Sequence, residues 1–221
     1  KGFKKSNILI LNNFAKSQKK LSNTEHTFKQ KKNTLKIIYT GNIGRFQFLE
    51  EIINCMIQLK NNKKIELVII GDGILKDKFK KLIKKNNTNI KLLDYMSEEE
   101  VLSQIANADV GLVPLMKDMY KYAYPSKTMS YLSQGKPIIA IVEKNSELVK
   151  NMEQSHYGKC ISQDNLDSLP NLLIDLSINH SSVEEMSNNA IIAFEKEFCD
   201  KVVLEKWANI ISSTINRKTK F

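Results

Sequence analysis

The chain has 221 residues, of which 42% are hydrophobic and 26% charged, so it can bury a sizeable core as ordinary globular proteins do. Its three cysteines are far apart and form no CxxC pair, which argues against a disulfide framework or a zinc site and fits a reducing compartment. The net charge is +10, mostly from lysine, and fits either solvated faces or a basic surface for phosphates or acidic lipids. No RNP-like or helix-turn-helix motif accompanies this charge, so nucleic-acid binding is not expected.

The beginning of the chain differs from the rest. An apolar run at residues 8–11 ends at an Asn-Asn pair, and residues 16–33 are polar and lysine-rich, as in a linker or loop. No apolar run in the sequence is long enough for a membrane span, and none follows the first lysines as in a signal peptide.

From residue 34 on, short apolar runs alternate with segments of helical periodicity. Strands are predicted at residues 35–40, 65–70, 90–93, 110–114, 137–142 and, as a short sixth one, 158–161. Helices are predicted at residues 47–59, 75–83, 97–107, 126–133 and 146–152, and most of residues 166–215 is expected to be helical. This alternation predicts an α/β fold, a doubly wound, Rossmann-like parallel sheet with helices on both faces and further helices at its C-terminal end.

Sheets of this kind bind ligands at the carboxyl ends of their strands, so the turns there are the first candidates for chemistry. Gly41 and Gly44 follow the first predicted strand and let a ligand approach the backbone, and Arg45 adds donors suited to a diphosphate. The same residues also fit a plain strand-to-helix turn. Gly71 follows the second strand, in a turn that is either ordinary or leaves room for a ligand.

A third candidate segment follows the fourth predicted strand. Pro125 can start a helix and Ser126 can cap it, so that the amides of the first turn and Lys127 would face an anion. Ser130 lies one turn further on, on the helix face that adjoins Lys127. A capped helix with a surface lysine is the alternative interpretation.

Several common catalytic patterns do not occur in the sequence. It contains no HExxH, GxSxG or P-loop motif and no DxD-like acidic pair, and we expect neither a metal nor a cofactor. His26, His156 and His180 are scattered and are expected at the surface rather than at a metal. Trp207 is spaced from Val203 and Ile210 as on one helix face, which predicts packing in the core.

Four segments with these turns stand in a recognisable order. They are IIYTGNIGRFQFLEEII at residues 37–53, IELVIIGDG at 65–73, ADVGLVPL at 108–115 and YPSKTMSYLSQGKPIIA at 124–140. Together they resemble the C-terminal domain of GT-B glycosyltransferases, specifically the glycosyltransferase group 1 family, which includes capsule and O-antigen enzymes. The resemblance covers residues 8–211, and ILILNNF at residues 8–14 resembles the strand that leads in from an N-terminal domain.

The resemblance implies the donor-binding half of a metal-independent hexosyltransferase. Residues 1–33 would be the leading strand and linker from a missing N-terminal acceptor domain, residues 34–215 the nucleotide-sugar-binding domain, and residues 216–221 a basic tail. The donor would be a nucleoside-diphosphate sugar, UDP-linked, and the acceptor a surface polysaccharide or a lipid-linked molecule. Such an enzyme would be cytoplasmic with peripheral contact to the inner membrane leaflet, and this chain alone would be inactive.

Site residues follow from the matched motifs, although no catalytic residue is assigned. The diphosphate would be bound by Gly44, Arg45, Ser126 and Lys127. The nucleoside would be bound by Gly41, Gly71, Asp94, Tyr95 and Ser130. The donor sugar would be bound by Tyr122, Tyr124 and Pro125.

The family usually carries two glutamates eight positions apart near this helix, and the second commonly binds the ribose. Tyr122 and Ser130 occupy those places here, and a serine is a neutral, weaker acceptor. This departure leaves open a second hypothesis, a degenerate, non-catalytic module that binds a membrane or a partner. Nucleotide-sugar epimerases share the fold. They need catalytic carboxylates and histidines around the cleft, and this sequence contains few residues of that kind there.

Overall fold

A computed structural model describes residues 11, 13–15, 34–122 and 124–218, with side chains up to residue 215. The predicted linker at residues 16–33, most of the apolar run at residues 8–11, and His26 lie outside the described residues. The division of residues 1–33 from the rest therefore stays a prediction.

Among the described residues, six parallel strands form one sheet in the order β3-β2-β1-β4-β5-β6. They are β1 (Leu35–Thr40), β2 (Ile65–Ile70), β3 (Ile90–Leu93), β4 (Val110–Pro114), β5 (Ile138–Ile141) and β6 (Gly158–Ile161). This confirms the predicted fold class, including the short sixth strand.

In the described part of the chain, eight α-helices connect and follow these strands. They are α1 (Leu49–Gln58), α2 (Lys76–Asn86), α3 (Glu98–Ala106), α4 (Lys127–Ser133), α5 (Glu147–Ser155), α6 (Leu169–Ile178), α7 (His180–Ala193) and α8 (Asp200–Lys218). Short 3-10 turns lie at Met119–Lys121 and Gln163–Ser168, and a π-helical turn at Phe194–Phe198 precedes α8.

Local sequence explains several helix ends. Ser97 and Glu100 form the capping box that starts α3, because each side chain accepts from the other residue's backbone N–H. Gly135 follows α4 with φ of 63°, a conformation that favours glycine. Phe48 is left-handed with φ of 52° just before α1, so this helix begins two residues later than the predicted start at residue 47.

The core lies on both faces of the sheet. Buried residues of α1, α2 and α6 pack on one face, and those of α3, α4 and α5 pack on the other. Helix α7 reaches both clusters, with Val183 in the first and Ala190 in the second. Both faces of the four inner strands are therefore covered, as their continuous apolar sequences require. The edge strands β3 and β6 each expose a lysine, Lys91 and Lys159.

Helix α8 departs from expectation. Val203 is buried, but Trp207 is 46% exposed, so the prediction that Trp207 packs in the core is wrong. The helical spacing is real, yet only the first turns of α8 lie against the domain, and the face that carries Trp207 stays uncovered. The helix also continues to Lys218, so the first three residues of the predicted basic tail are helical. The division of this tail from the domain stays a prediction.

The strand order reverses between β1 and β4, which are neighbours in the sheet. In doubly wound folds a crevice opens at this point, outside the carboxyl ends of the two strands. The residues that follow Thr40 and Pro114 therefore meet at one place.

Candidate functional site

Two loops lie together at the reversal point. The turn after β1 and the loop after β4 are joined by a backbone hydrogen bond from Met116 N–H to the Phe46 carbonyl oxygen, at 3.0 Å. The fold thereby brings the predicted Gly41–Arg45 segment beside the segment that leads into α4.

The turn after β1 is fixed by bonds to the neighbouring turn after β2. Gly41 N–H donates to the Ile70 carbonyl at 3.0 Å, and Ile43 N–H donates to the Asp72 carbonyl at 2.7 Å. The Tyr39 hydroxyl donates to the Asn42 carbonyl at 2.6 Å. These bonds hold the turn in one shape.

Gly71 is explained by packing between these two turns. A Cβ on Gly71 would lie 1.9 Å from the Gly41 carbonyl oxygen, and Gly71 has φ of 152°. The missing side chain therefore makes room for the Gly41 backbone, which explains the glycine by packing alone. The role of Gly71 beside a nucleoside stays a prediction.

Gly44 is buried, and its N–H already donates to Gln47 Oε1 at 3.2 Å. Arg45, the next residue, is exposed, and no hydrogen bond or ion pair to it is found within the described part of the chain. Of these two residues, only Arg45 presents donors that a ligand could take without breaking an existing bond.

Lys127 is brought to the Gly41 turn. Its Nζ lies 5.1 Å from the centroid of the Tyr39 ring, and a Cβ on Gly41 would lie 3.6 Å from its Cε. The side chain is half-buried, and burial lowers the pKa of Lys127 to about 8. No carboxylate or hydrogen-bond partner for this ammonium group occurs among the residues that the structure describes, so the site holds a partly desolvated cation.

Tyr131 anchors α4 to the sheet, and the sequence reasoning missed it. The Thr40 N–H donates to the Tyr131 hydroxyl at 3.0 Å, and a Cβ on Gly111 would lie only 2.4 Å from the Tyr131 ring. The ring thus fills the space above Gly111, the second residue of β4. A glycine inside a strand marks such a close approach, and this signal could have been found in the sequence.

The first turn of α4 differs from the expected cap. Ser126 is exposed with helical backbone angles, and its side chain accepts no capping hydrogen bond. The Thr128 and Met129 N–H groups donate to the Pro125 and Ser126 carbonyls at 3.1 Å each. The expectation that Ser126 caps this helix is therefore wrong. Ser130 is half-buried on the same short helix as Lys127.

Asp94 and Tyr95 lie at the end of β3, two strands away from β1. Asp94 forms an ion pair with Lys76 at 2.7 Å, and its hydrogen bond with Lys76 lowers the pKa of that carboxyl group. Tyr95 is 80% exposed. Both residues follow the carboxyl end of β3, as the Gly41 turn follows the carboxyl end of β1, and the strands are parallel. The turn after β2 lies between them, and its Gly71 N–H donates to the Leu93 carbonyl.

A cavity of about 290 Å³ opens between the loop after β4 and the start of α5. It is lined by Leu115, Tyr120, Lys121, Tyr122, Tyr124, Pro125, Val142, Ser146, Glu147 and Leu148. The structure thus brings together the three residues predicted for the donor sugar. Tyr122 is 81% exposed, whereas the Tyr124 hydroxyl is buried and burial raises its pKa to about 12. Tyr124 therefore lines the cavity with its ring and not with its hydroxyl group.

The β5–α5 turn supports the loop that lines the cavity. Glu143 Oε1 accepts from the Asp118 N–H at 2.6 Å, and Asn145 Nδ2 donates to the Tyr120 hydroxyl at 2.9 Å. Within the described residues, no group of three histidine, cysteine or acidic side chains is placed to hold a metal ion. His156 and His180 are exposed, as predicted.

The family model for glycosyl transferases group 1 matches residues 22–192, which is more than half of the chain. The chain belongs to this family. The resemblance drawn from the four sequence segments is thereby confirmed.

Among curated proteins, this group 1 glycosyltransferase domain is similar to the probable glycosyltransferase WbjE of Pseudomonas aeruginosa. The two are 27% identical over 172 residues, which is 77% of this chain and 42% of the relative. The chain therefore spans less than half the length of this curated relative.

Solved structures show the same fold at low sequence identity. TarM of S. aureus, solved with UDP, fondaparinux and α-GlcNAc-glycerol, is 17% identical with a TM-score of 0.72, over 94% of this chain and 40% of TarM. HepE of Anabaena, solved with UDP, is 15% identical with a TM-score of 0.69, over 82% of this chain and 49% of HepE. WaaG, which is involved in lipopolysaccharide biosynthesis, is 16% identical with a TM-score of 0.69, over 91% of this chain and 55% of WaaG. These matches make the chain one half of a GT-B fold.

Proposed function

We propose that this domain binds the diphosphate of a nucleoside-diphosphate sugar, UDP-linked, and holds it for transfer of the sugar. The observation that carries the proposal is Lys127, a partly desolvated cation held over Tyr39 beside the Gly41 turn, at the point where the strand order reverses. An anion that enters there gains a charge-assisted bond and relieves the cost of burying the lysine.

The chemistry of sugar transfer suits this arrangement. Negative charge builds on the diphosphate as its bond to the sugar breaks, and fixed cations in a water-poor site stabilise that charge. Lys127 supplies one such cation, and the exposed Arg45 supplies a planar fork of donors for the same group. We propose that these side chains act without a metal ion, with Ser126 and the Gly44 turn at the edge of the diphosphate.

UDP is the nucleotide present in solved structures of two neighbours. HepE of Anabaena has been solved with UDP and with UDP-glucose, and TarM with UDP. In this proposal the nucleoside lies over Gly41 towards Asp94 and Tyr95, and Ser130 accepts from a ribose hydroxyl. The sugar lies towards Tyr122, Tyr124 and Pro125.

The acceptor would be held by a second domain. Two observations support this part of the proposal. The chain spans 42% of WbjE, and α8 exposes an apolar stripe of four side chains, each about half exposed, namely Leu204, Trp207, Ile211 and Ile215. The acceptor class would be a surface polysaccharide or a lipid-linked molecule, since WaaG acts in lipopolysaccharide biosynthesis. This chain alone would then transfer no sugar.

The cellular place of the enzyme is also a proposal. No described helix is both long and apolar enough to cross a membrane. We propose a cytoplasmic protein in which surface lysines contribute to peripheral binding at an anionic leaflet, each by about 1 kcal/mol when it is close to the surface.

The test is a calorimetric titration of the chain with UDP. Lys127→Ala should weaken UDP binding by roughly 10-fold or more, because a hydrogen bond to a charged group contributes about 1.5–3 kcal/mol. Lys84→Ala, on the exposed face of α2, is the matched control and should bind UDP like the unmodified chain. Equal affinity of the two variants would place the diphosphate elsewhere.

A further inference from the structure

Helix α4 carries Lys127, yet little in its own sequence fixes where the helix lies. It has only seven residues, and a helix this short is marginal unless tertiary contacts stabilise it. Ser126 gives it no side-chain cap, and its first turn carries no acidic residue. The position of Lys127 must therefore be set by what α4 contacts.

Polar contacts hold α4 at two places. At its C-terminal end, the Ser187 hydroxyl of α7 donates to the Gly135 carbonyl at 2.5 Å. Closer to Lys127, the Tyr131 hydroxyl accepts from the Thr40 N–H at 3.0 Å. Thr128 is buried, but its hydroxyl has no hydrogen-bond partner among the described residues, so it adds no directional contact. Within that part of the chain, the bond made by Tyr131 is the one that ties α4 to the sheet.

Lys127 and Tyr131 are one helical turn apart and lie on the same face of α4. Their contacts are neighbours in β1 and the turn that follows it. Lys127 lies against the Tyr39 ring and Gly41, and Tyr131 bonds to Thr40, the residue between those two. A change in the distance between Tyr131 and Thr40 would therefore also change the distance between the ammonium group and the Gly41 turn.

The Tyr131 ring is itself held firmly. It is fully buried, and it occupies the space that the missing side chain of Gly111 leaves, where a Cβ would lie 2.4 Å from the ring. Its hydroxyl can also donate to Thr40 Oγ1, at 3.3 Å, while it accepts from the Thr40 N–H. Burial raises the pKa of Tyr131 to about 12, so the hydroxyl keeps its proton near neutral pH. Tyr131 therefore gives α4 a fixed point on the sheet.

We propose that Tyr131 is a positioning residue for diphosphate binding: its hydroxyl fixes α4 against the end of β1 and so sets where Lys127 meets the ligand. Tyr131 itself contacts no ligand. Without the hydroxyl, α4 can move away from Thr40, and the ammonium group then meets the diphosphate at a longer distance and with more water around it. Charge-assisted hydrogen bonds weaken with such a displacement. The inference rests on the proposed function, since it takes Lys127 as a ligand of the diphosphate.

The test is a double-mutant cycle of Tyr131 and Lys127, measured by calorimetric titration with UDP at pH 7. Tyr131→Phe keeps the ring over Gly111 and removes only the hydroxyl, so the variant should fold, with a lower midpoint of chemical denaturation. It should bind UDP about fivefold more weakly than the unmodified chain, the effect of weakening one charge-assisted bond. In a Lys127→Ala background the same substitution should change the affinity by less than about 1.5-fold, because the group that Tyr131 positions is gone.

The pH profile of UDP binding gives a second readout. Burial lowers the pKa of Lys127 to about 8, so the affinity should fall as the pH rises through this value. The tyrosines beside it do not titrate there, since burial raises the pKa of both Tyr39 and Tyr131, and no described carboxylate pairs with Lys127. In Tyr131→Phe, a better hydrated Lys127 should have a pKa nearer its ordinary 10.5, which moves the fall in affinity to higher pH. An unmoved profile would contradict the proposed role.

Tyr157→Phe is the matched control. Tyr157 is also fully buried in the same core cluster, and its hydroxyl donates to Asn151 Oδ1 at 2.6 Å. This variant should lose stability and keep the UDP affinity and pH profile of the unmodified chain. If Tyr131→Phe binds UDP as well as the unmodified chain, or loses as much affinity without Lys127 as with it, the inference is overturned and the proposed function stands. If the unmodified chain does not bind UDP, or Lys127→Ala binds it equally well, the proposed function falls and this inference with it.

Discussion

At the residue scale, Lys127 decides how the site responds to pH. Its ordinary pKa is 10.5, and burial lowers it to about 8, so the free domain loses this positive charge as the pH rises through about 8. The Tyr39 ring, over which the ammonium group lies, stays neutral there because burial raises the pKa of Tyr39. The terminal phosphate of UDP is already ionised above pH 7.

The affinity for UDP should therefore fall between pH 7 and pH 9, because the cationic form of Lys127 is the one that binds. Lys127→Arg keeps its charge throughout this range and should show a much flatter profile. The measurement is a series of calorimetric titrations at fixed ionic strength. An affinity of the unmodified chain that stayed constant, or rose, over this range would contradict the role of Lys127.

At the element scale, the two turns after β1 and β2 form one unit. Gly71→Ala would bring a Cβ within 1.9 Å of the Gly41 carbonyl oxygen, in a backbone conformation that side chains rarely adopt. We expect a loss of stability above about 2 kcal/mol, the range of strained backbone and forced overpacking. Chemical denaturation measures it, and the variant should also bind UDP more weakly because the Gly41 turn must shift.

Gly44→Ala is the matched comparison for Gly71→Ala. At Gly44 the nearest atoms to an added Cβ are side-chain atoms of Asn42 and Gln47, which can move away. The loss of stability on Gly44→Ala should be smaller, within about 1 kcal/mol. If both substitutions cost the same, the close contact between the two turns does not explain Gly71.

Most of the helices and strands, and their order along the chain, could be predicted from the sequence. Strands such as β2 are continuous apolar runs, and the capping box at Ser97 identifies the start of α3. The start of α1 was predicted two residues too early, at residue 47, because the helical spacing of apolar residues does not show that Phe48 has a left-handed backbone. The exposure of Trp207 could not be predicted either, because helical spacing defines a face and does not show what covers that face.

The candidate site was predictable in part. The order of the turns identifies Gly41, Arg45 and Lys127, but the sequence does not show that Gly44 N–H is taken by Gln47 or that Ser126 leaves its helix uncapped. Tyr131 was missed because its partners, Thr40 and Gly111, are distant in the sequence and adjacent only in the fold. Contacts of this kind depend on tertiary packing rather than on local pattern.

At the scale of the whole molecule, the domain combines a rigid sheet with loops at one edge. The strand order is that of one half of a GT-B fold. The Gly41 turn, Lys127 and the cavity all lie at the carboxyl ends of its strands. The proposed function assigns the acceptor to a second domain, a proposal supported by the uncovered stripe on α8 and the 42% coverage of WbjE. In this account the domain binds the sugar nucleotide even without its partner.

The most direct test of that claim is a thermal-shift series on the unmodified chain with UDP, GDP and ADP, followed by calorimetry. A ligand that binds only the folded state stabilises it, by about 2.7 kcal/mol at 100 times its Kd. We predict a clear rise in Tm with UDP and smaller rises with GDP and ADP. No rise with any of the three diphosphates would contradict the account and favour a module that keeps the fold without a working donor site.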